Sequence, residues 1–135
     1  MNKIFLDSNI LIYLYSTDEI EKNKKIKELL KKYDYILIST QVLFEFCHVM
    51  HRKLKVDYSE IEKALKEFYE AFEVILINYE MLLCALRIAT KYKYSFPDSL
   101  IIAATLESDC NILFSEDMHS NHTIEGSLKI INPFL

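Results

Sequence analysis

At 135 residues, with apolar side chains making up 51%, the chain has the size of one domain and enough apolar surface to bury a true core. Its 16 basic residues stand against 20 acidic ones, for a formal net charge of −4, which excludes a protein that holds nucleic acid by bulk positive charge alone. A single glycine, Gly126, excludes the phosphate loops that need glycine where backbone must approach a nucleotide.

No export signal is visible, and no stretch nears the ~20 apolar residues of a membrane span, so a cytoplasmic location away from membranes is expected. Three cysteines, Cys47, Cys84 and Cys110, suit reduced thiols in a core better than a disulfide frame.

In chain order, Ile4-Phe5-Leu6 reads as a strand, Asp7-Ser8-Asn9 as a polar step, and residues 10–15 as the helix beyond. In an open α/β sheet the carboxyl ends of the strands are where ligands bind, so the placement of Asp7 matters. Residues 19–32 carry Ile20, Ile26, Leu29 and Leu30 at helical spacing, an amphipathic surface helix rich in lysine. Tyr35-Ile36-Leu37-Ile38 forms a second strand. Ser39-Thr40 then offers an N-cap to a helix marked by Val42, Phe46, Val49 and Met50, with Glu45 in its first turns.

Asp57 and Glu60 make a capping-box-like start to a helix in which Ile61, Leu65, Phe68 and Phe72 form the buried stripe. Val74-Ile75-Leu76-Ile77 is the third strand, and Asn78 caps the next helix, with Leu82, Ala85, Leu86 and Ala89 facing the core. Pro97 ends that segment and suits the first turn of a new helix, Pro97-Asp98-Ser99 onward, apolar on nearly every side and therefore central. The fourth strand, Asn111-Ile112-Leu113-Phe114, runs into Ser115-Glu116-Asp117, and a last strand covers Leu128–Ile131. Strands alternating with helices predict one α/β domain over residues 1–135, a mainly parallel sheet with helices on both faces.

Parallel strands put their carboxyl ends on one edge, so Asp7, Glu45, Asp98 and Asp117 can converge there. Four carboxylates repel one another unless a divalent cation holds them, and oxygen ligands without neighbouring His or Cys suit Mg²⁺ or Mn²⁺. Metal-assisted phosphodiester hydrolysis is the natural use of such a site. Helix capping accounts for Asp7 and Asp98 but not for Glu45 and Asp117 as well. With the four acids neutralised, 16 basic residues face 16 acidic ones, so the surface need not repel a polyanion. The basic clusters, Lys22 to Lys32, Arg52 to Lys55 and Lys91 with Lys93, are ordinary solvated helix faces when taken singly.

These residues resemble the PIN-domain ribonucleases, and more narrowly the VapC-type toxins of toxin–antitoxin pairs. The resemblance rests on Phe5-Leu6-Asp7-Ser8-Asn9, on Ser39-Thr40-Gln41-Val42-Leu43-Phe44-Glu45, on Phe96-Pro97-Asp98-Ser99-Leu100-Ile101 and on Leu113-Phe114-Ser115-Glu116-Asp117-Met118, four blocks in the family's order. It implies a three-layer PIN-like fold and metal-binding roles for Asp7, Glu45, Asp98 and Asp117. It also implies supporting roles for Ser115 and Asn9, Mg²⁺ or Mn²⁺ dependence, an RNA substrate, a protein antitoxin and a homodimer. Residues after Asp117, with His119, Asn121 and His122, vary among relatives and imply nothing catalytic.

Other readings stay open on the sequence. Cys47, His48 and His51, or His119 and His122, have spacings seen at zinc sites, but Cys47 and His48 face different sides of a helix. A phosphoacceptor receiver domain expects paired acids before the acceptor and a lysine closing the last strand, where this chain has Asn132-Pro133. A catalytically idle PIN-like RNA-binding module is disfavoured by the presence of all four acids. Residues 10–15, with Phe44, Phe46, Val49 and Met50, carry more large apolar side chains than one core contact needs, so part of them is expected to form a groove or self-association face.

Overall fold

Ile4, Phe5 and Leu6 are successive and all fully buried, so both faces of their strand, β1 (Lys3–Leu6), are covered, as in the middle of a parallel sheet. In the computed structural model, which describes residues 2–135, β1 lies between β2 (Tyr35–Ser39) and β4 (Ile112–Phe114) and is parallel to both. The six-stranded sheet is completed by β3 (Glu73–Ile75), β5 (Thr123–Ile124) and β6 (Leu128–Ile131), in the order β3-β2-β1-β4-β6-β5. Among the described residues only β5 runs antiparallel, to β6.

From β1 the chain steps outward to β2 and β3 through α1 (Ser8–Tyr15), α2 (Ile20–Leu30), α3 (Thr40–Arg52) and α4 (Tyr58–Ala71). It then returns across the sheet to β4 through α5 (Tyr79–Tyr92) and α6 (Phe96–Glu107). Right-handed crossovers put the helices of the outward run on one face and those of the return on the other, giving three layers. The packing agrees: α1 contacts α2 and α3, α3 contacts α4, and α5 contacts α6. The reversal of direction makes the carboxyl-end crevice between β1 and β4 the topological switch point.

Helix α6 is the central one, since every side chain from Ser99 to Thr105 is buried. Ser95 caps it by accepting from Asp98 N (3.3 Å), with proline in the first turn where no N–H is missed. Ser39 likewise caps α3 by accepting from Val42 N (3.2 Å), and Asn78 caps α5 by accepting from Met81 N (2.9 Å).

The structure departs from the local expectations at several points, among them α5, whose Leu82 and Leu86 are exposed while Met81, Ala85 and Ile88 face the core. The third strand stops at Ile75, because Leu76 is exposed and Ile77 N donates to the Thr40 hydroxyl (3.2 Å) instead of a neighbouring strand. Asp57 stands at the N-cap of α4 but makes no side-chain cap bond, and Glu60 turns to Lys63 (3.3 Å), so the capping box is not formed. The short β5 was not anticipated; it is joined to β6 through Glu125 and Gly126, both left-handed (φ 50° and 72°), with Ser127 N donating to Ile124 O (3.2 Å).

Cys110 is buried, which pushes its thiol up to about 11, and Cys47 and Cys84 are half-buried; all three are free. Among the described residues no helix is long and apolar enough to cross a membrane.

Candidate active site

Asp7 stands one residue past β1, where its N–H donates to Phe114 O (3.0 Å) and carries the β1–β4 ladder one step beyond the strand. Only 3% of the residue is exposed. Its Oδ1 accepts from Ser8 N (2.7 Å), which caps α1, and its Oδ2 accepts from the Ser115 hydroxyl (2.7 Å). Burial pushes this carboxyl up to about 7, against the hydrogen bonds from Ser115 and Ser8, and the charges of Glu45 and Asp98 add to the rise. Asp7 is thus both a helix cap and a buried acid facing other acids.

Glu45 and Asp98 are half-buried. Burial raises the Glu45 carboxyl above its ordinary value and Asp98 adds to it, while Ser8 and Gln41 pull the other way by hydrogen bonding. Asp98 is raised by burial and by the charge of Asp117, against the hydrogen bond from Ser95. The side chain of Gln41, one turn before Glu45, donates from Nε2 to Glu45 Oε2 (3.2 Å) and to Pro97 O (2.8 Å). Its Oε1 is buried with no partner, which costs roughly 1–3 kcal/mol.

Asp117 is exposed at the rim, on the segment that follows β4. Asn9 links it to Asp7, donating from Nδ2 to Asp117 Oδ2 (3.1 Å) and to Asp7 Oδ2 (3.4 Å). Asn9 Oδ1 in turn accepts from Glu116 N (3.2 Å), and the Ser115 hydroxyl accepts from Asp117 N (3.3 Å). The segment is fastened further by Glu116, whose carboxylate takes hydrogen bonds from the Tyr13 hydroxyl and Lys22 Nζ. Those two bonds hold the Glu116 carboxyl below its ordinary value in spite of burial. Lys22 also lies over the rings of Tyr13 and Phe134, so α1, α2 and the C-terminal segment all grip the residue beside Asp117.

The structure therefore brings Asp7, Glu45, Asp98 and Asp117 to one edge of the sheet, where the charges of Glu45 and Asp98 raise Asp7, that of Asp98 raises Glu45, and that of Asp117 raises Asp98. The donors are all oxygen and the excess charge is negative, which fits a hard divalent cation. Among the described residues, no three His, Cys, Asp or Glu side chains are gathered closely enough around one point to hold an ion as they stand. Two of the four histidines with zinc-like spacing have other partners: His51 Nδ1 pairs with Val56 O (3.2 Å) and His122 Nδ1 with the Tyr94 hydroxyl (2.7 Å).

The PIN domain model of protein families matches residues 4–123, which span all four acids. The chain belongs to the PIN domain family. Among solved structures, this PIN domain is similar to a toxin–antitoxin complex from Klebsiella pneumoniae, with 22% identity, 97% of this chain and 98% of that chain covered, and a TM-score of 0.73. It is also similar to VapC20 of Mycobacterium tuberculosis, a sarcin–ricin loop cleaving toxin, with 16% identity, 85% and 92% coverage and a TM-score of 0.71. A third similar structure is VapBC2 of Rickettsia felis bound to a promoter DNA fragment, with 20% identity, 94% and 96% coverage and a TM-score of 0.67. At these identities the likeness is one of fold. A comparison of the sequence with curated proteins gave no match.

Sequence reasoning passed over Ser8, Gln41 and the Tyr13–Lys22–Glu116 group in this PIN domain. For Gln41 a signal existed, since a glutamine four residues before an acid shares its helix face. Lys22 and Tyr13 meet Glu116 only through the fold, and nothing local marks them.

Proposed function

We propose that the chain is a divalent-metal-dependent endoribonuclease of the VapC toxin type, in which Asp7, Glu45, Asp98 and Asp117 hold Mg²⁺ or Mn²⁺. The observation that carries it is the convergence of four carboxylates at the β1–β4 switch point, where burial and mutual charge raise three of them. A bound divalent cation would offset that charge, lower the pKa of an attacking water and stabilise negative charge on phosphate oxygens. The chain's own residues set the stage: Ser115 orients Asp7 through Oδ2, Asn9 spaces Asp7 from Asp117, and Gln41 holds Glu45 beside the start of α6.

The similarity to toxin–antitoxin complexes supports a protein antitoxin as partner. Self-association is supported by exposed apolar side chains. Ile10 and Leu11 of the early apolar run are core, as are Phe46 and Met50, but Phe44 is 73% exposed one residue before Glu45.

The test is to map RNA ends after brief expression of the protein, beside Asp7→Asn, Asp98→Asn and Asp117→Asn variants. New ends that need all three acids and added Mg²⁺ or Mn²⁺ are expected. RNA bound but uncut by the parent protein would point to an idle binding module, and equal cutting by the variants would show the site to lie elsewhere.

A further inference from the structure

We infer that Gln41 is a positioning residue of the acid cluster: its side-chain amide ties Glu45 to the first turn of α6, which carries Asp98, and so fixes the two acids relative to each other. The inference rests on the proposed function and concerns how the same acids are held.

The amide orientation is fixed by its partners. Pro97 O and the Glu45 carboxylate accept hydrogen bonds and cannot donate them, so the Gln41 nitrogen must face both. Each of its two N–H groups has one partner, at 2.8 Å and 3.2 Å. These bonds join segments 56 residues apart in sequence, and among the described residues no other hydrogen bond ties α3 to α6.

What is left over is the informative part. Oε1 is buried and accepts from nothing, a cost that methionine or leucine would not carry at the same place. The polar side chain is therefore kept for its N–H groups, and both are spent on acid-bearing turns.

The experiment compares the whole parent protein with Gln41→Met, similar in length and unable to donate. Mn²⁺ binding is measured by electron paramagnetic resonance, unfolding by heating in EDTA, and RNA cleavage at saturating metal. Expected are ~10-fold or greater weakening of Mn²⁺ binding, the scale of lost support behind metal ligands, and an unfolding midpoint equal to or above the parent's. A lower kcat with unchanged KM for RNA should accompany these changes, since Gln41 acts through Glu45 and Asp98.

Equal Mn²⁺ affinity and kcat in parent and variant overturns the inference, as does weakened binding that comes with a lowered unfolding midpoint, the mark of a packing role. Should Gln41→Met fail to fold, Gln41→Ala, a strong helix former that adds no volume, serves in the same measurements. A parent protein that neither binds Mn²⁺ nor cuts RNA would bring down the proposed function itself. A parent that does both beside an unaffected variant brings down the role of Gln41 alone.

Discussion

Replacing Asp7 by asparagine should stabilise the metal-free protein at alkaline pH while destroying its activity. The buried carboxyl lies at about 7 against an ordinary value of 3.8. Between those two values the folded chain holds a proton that the unfolded chain has lost. Stability from this group is therefore fully present below about 4, falls as pH rises to 7, and is flat above. Each unit corresponds to ~1.4 kcal/mol, so going from pH 5 to pH 8 should cost the parent about 3 kcal/mol at this one residue. That is a large part of the ~5–15 kcal/mol that holds a domain together. Urea unfolding in EDTA at both pH values, for parent and Asp7→Asn, isolates the effect, because all other titrating groups are common to the two. The variant should lose about 3 kcal/mol less than the parent on going to pH 8. Excess Mn²⁺ without EDTA should restore the parent at pH 8 and leave the variant unchanged. Equal losses in the two proteins would refute the assignment of Asp7 as a buried, strained acid.

Ser115→Ala removes the hydroxyl that donates to Asp7 Oδ2, so kcat/KM should fall ~10–100-fold and the acid limb of the pH–rate profile should move to higher pH; an unmoved limb would make Ser115 only a strand end. Phe44→Glu should convert a self-associated protein to monomer by light scattering, with a loss on the order of 2 kcal/mol for an exposed aromatic anchor, and a parent monomeric throughout the micromolar range refutes the pairing. Lys93→Gly should stabilise the protein by about 0.5–1 kcal/mol in the same unfolding assay, because Lys93 ends α5 in the left-handed region (φ 65°) that glycine enters without strain; a destabilised variant would show that the lysine side chain matters more than its backbone.

The parts of the fold that could be read from sequence are those whose physics is local. Ile4-Phe5-Leu6 before Asp7 announces a doubly covered strand, and the apolar run around Ile101 and Ile102 announces a central helix. Asp7 and Asp98 stand where a strand ends and a helix starts, which local pattern marks, whereas Glu45, in the second turn of α3, and Asp117, three residues past β4, stand out only through the expected convergence of parallel strands. What lay beyond reach depends on meetings across the sheet: Ser115 was placed by resemblance, but its bond to Asp7 needs β1 and β4 to be neighbours. Strand β5 is two residues long and is held by its turn and its partner, so its own sequence carries little pattern. Asp57 and Glu60 show the opposite failure, a local signal for a capping box that the folded helix does not use.

Strand β1 takes β2 on one side early in the sequence, but its other side waits for β4, more than a hundred residues later. At a synthesis rate of roughly 5–20 residues per second, that edge stays open for on the order of 5–20 s on the ribosome. Throughout that time Asp7 lacks the Phe114 carbonyl and the Ser115 hydroxyl, and Asp117 has not been made. A nascent chain therefore cannot assemble the four acids of the proposed site until β4 and the segment carrying Asp117 have been made. The same delay leaves an apolar strand with an unpaired edge, a hazard for aggregation that early pairing with β2 only halves.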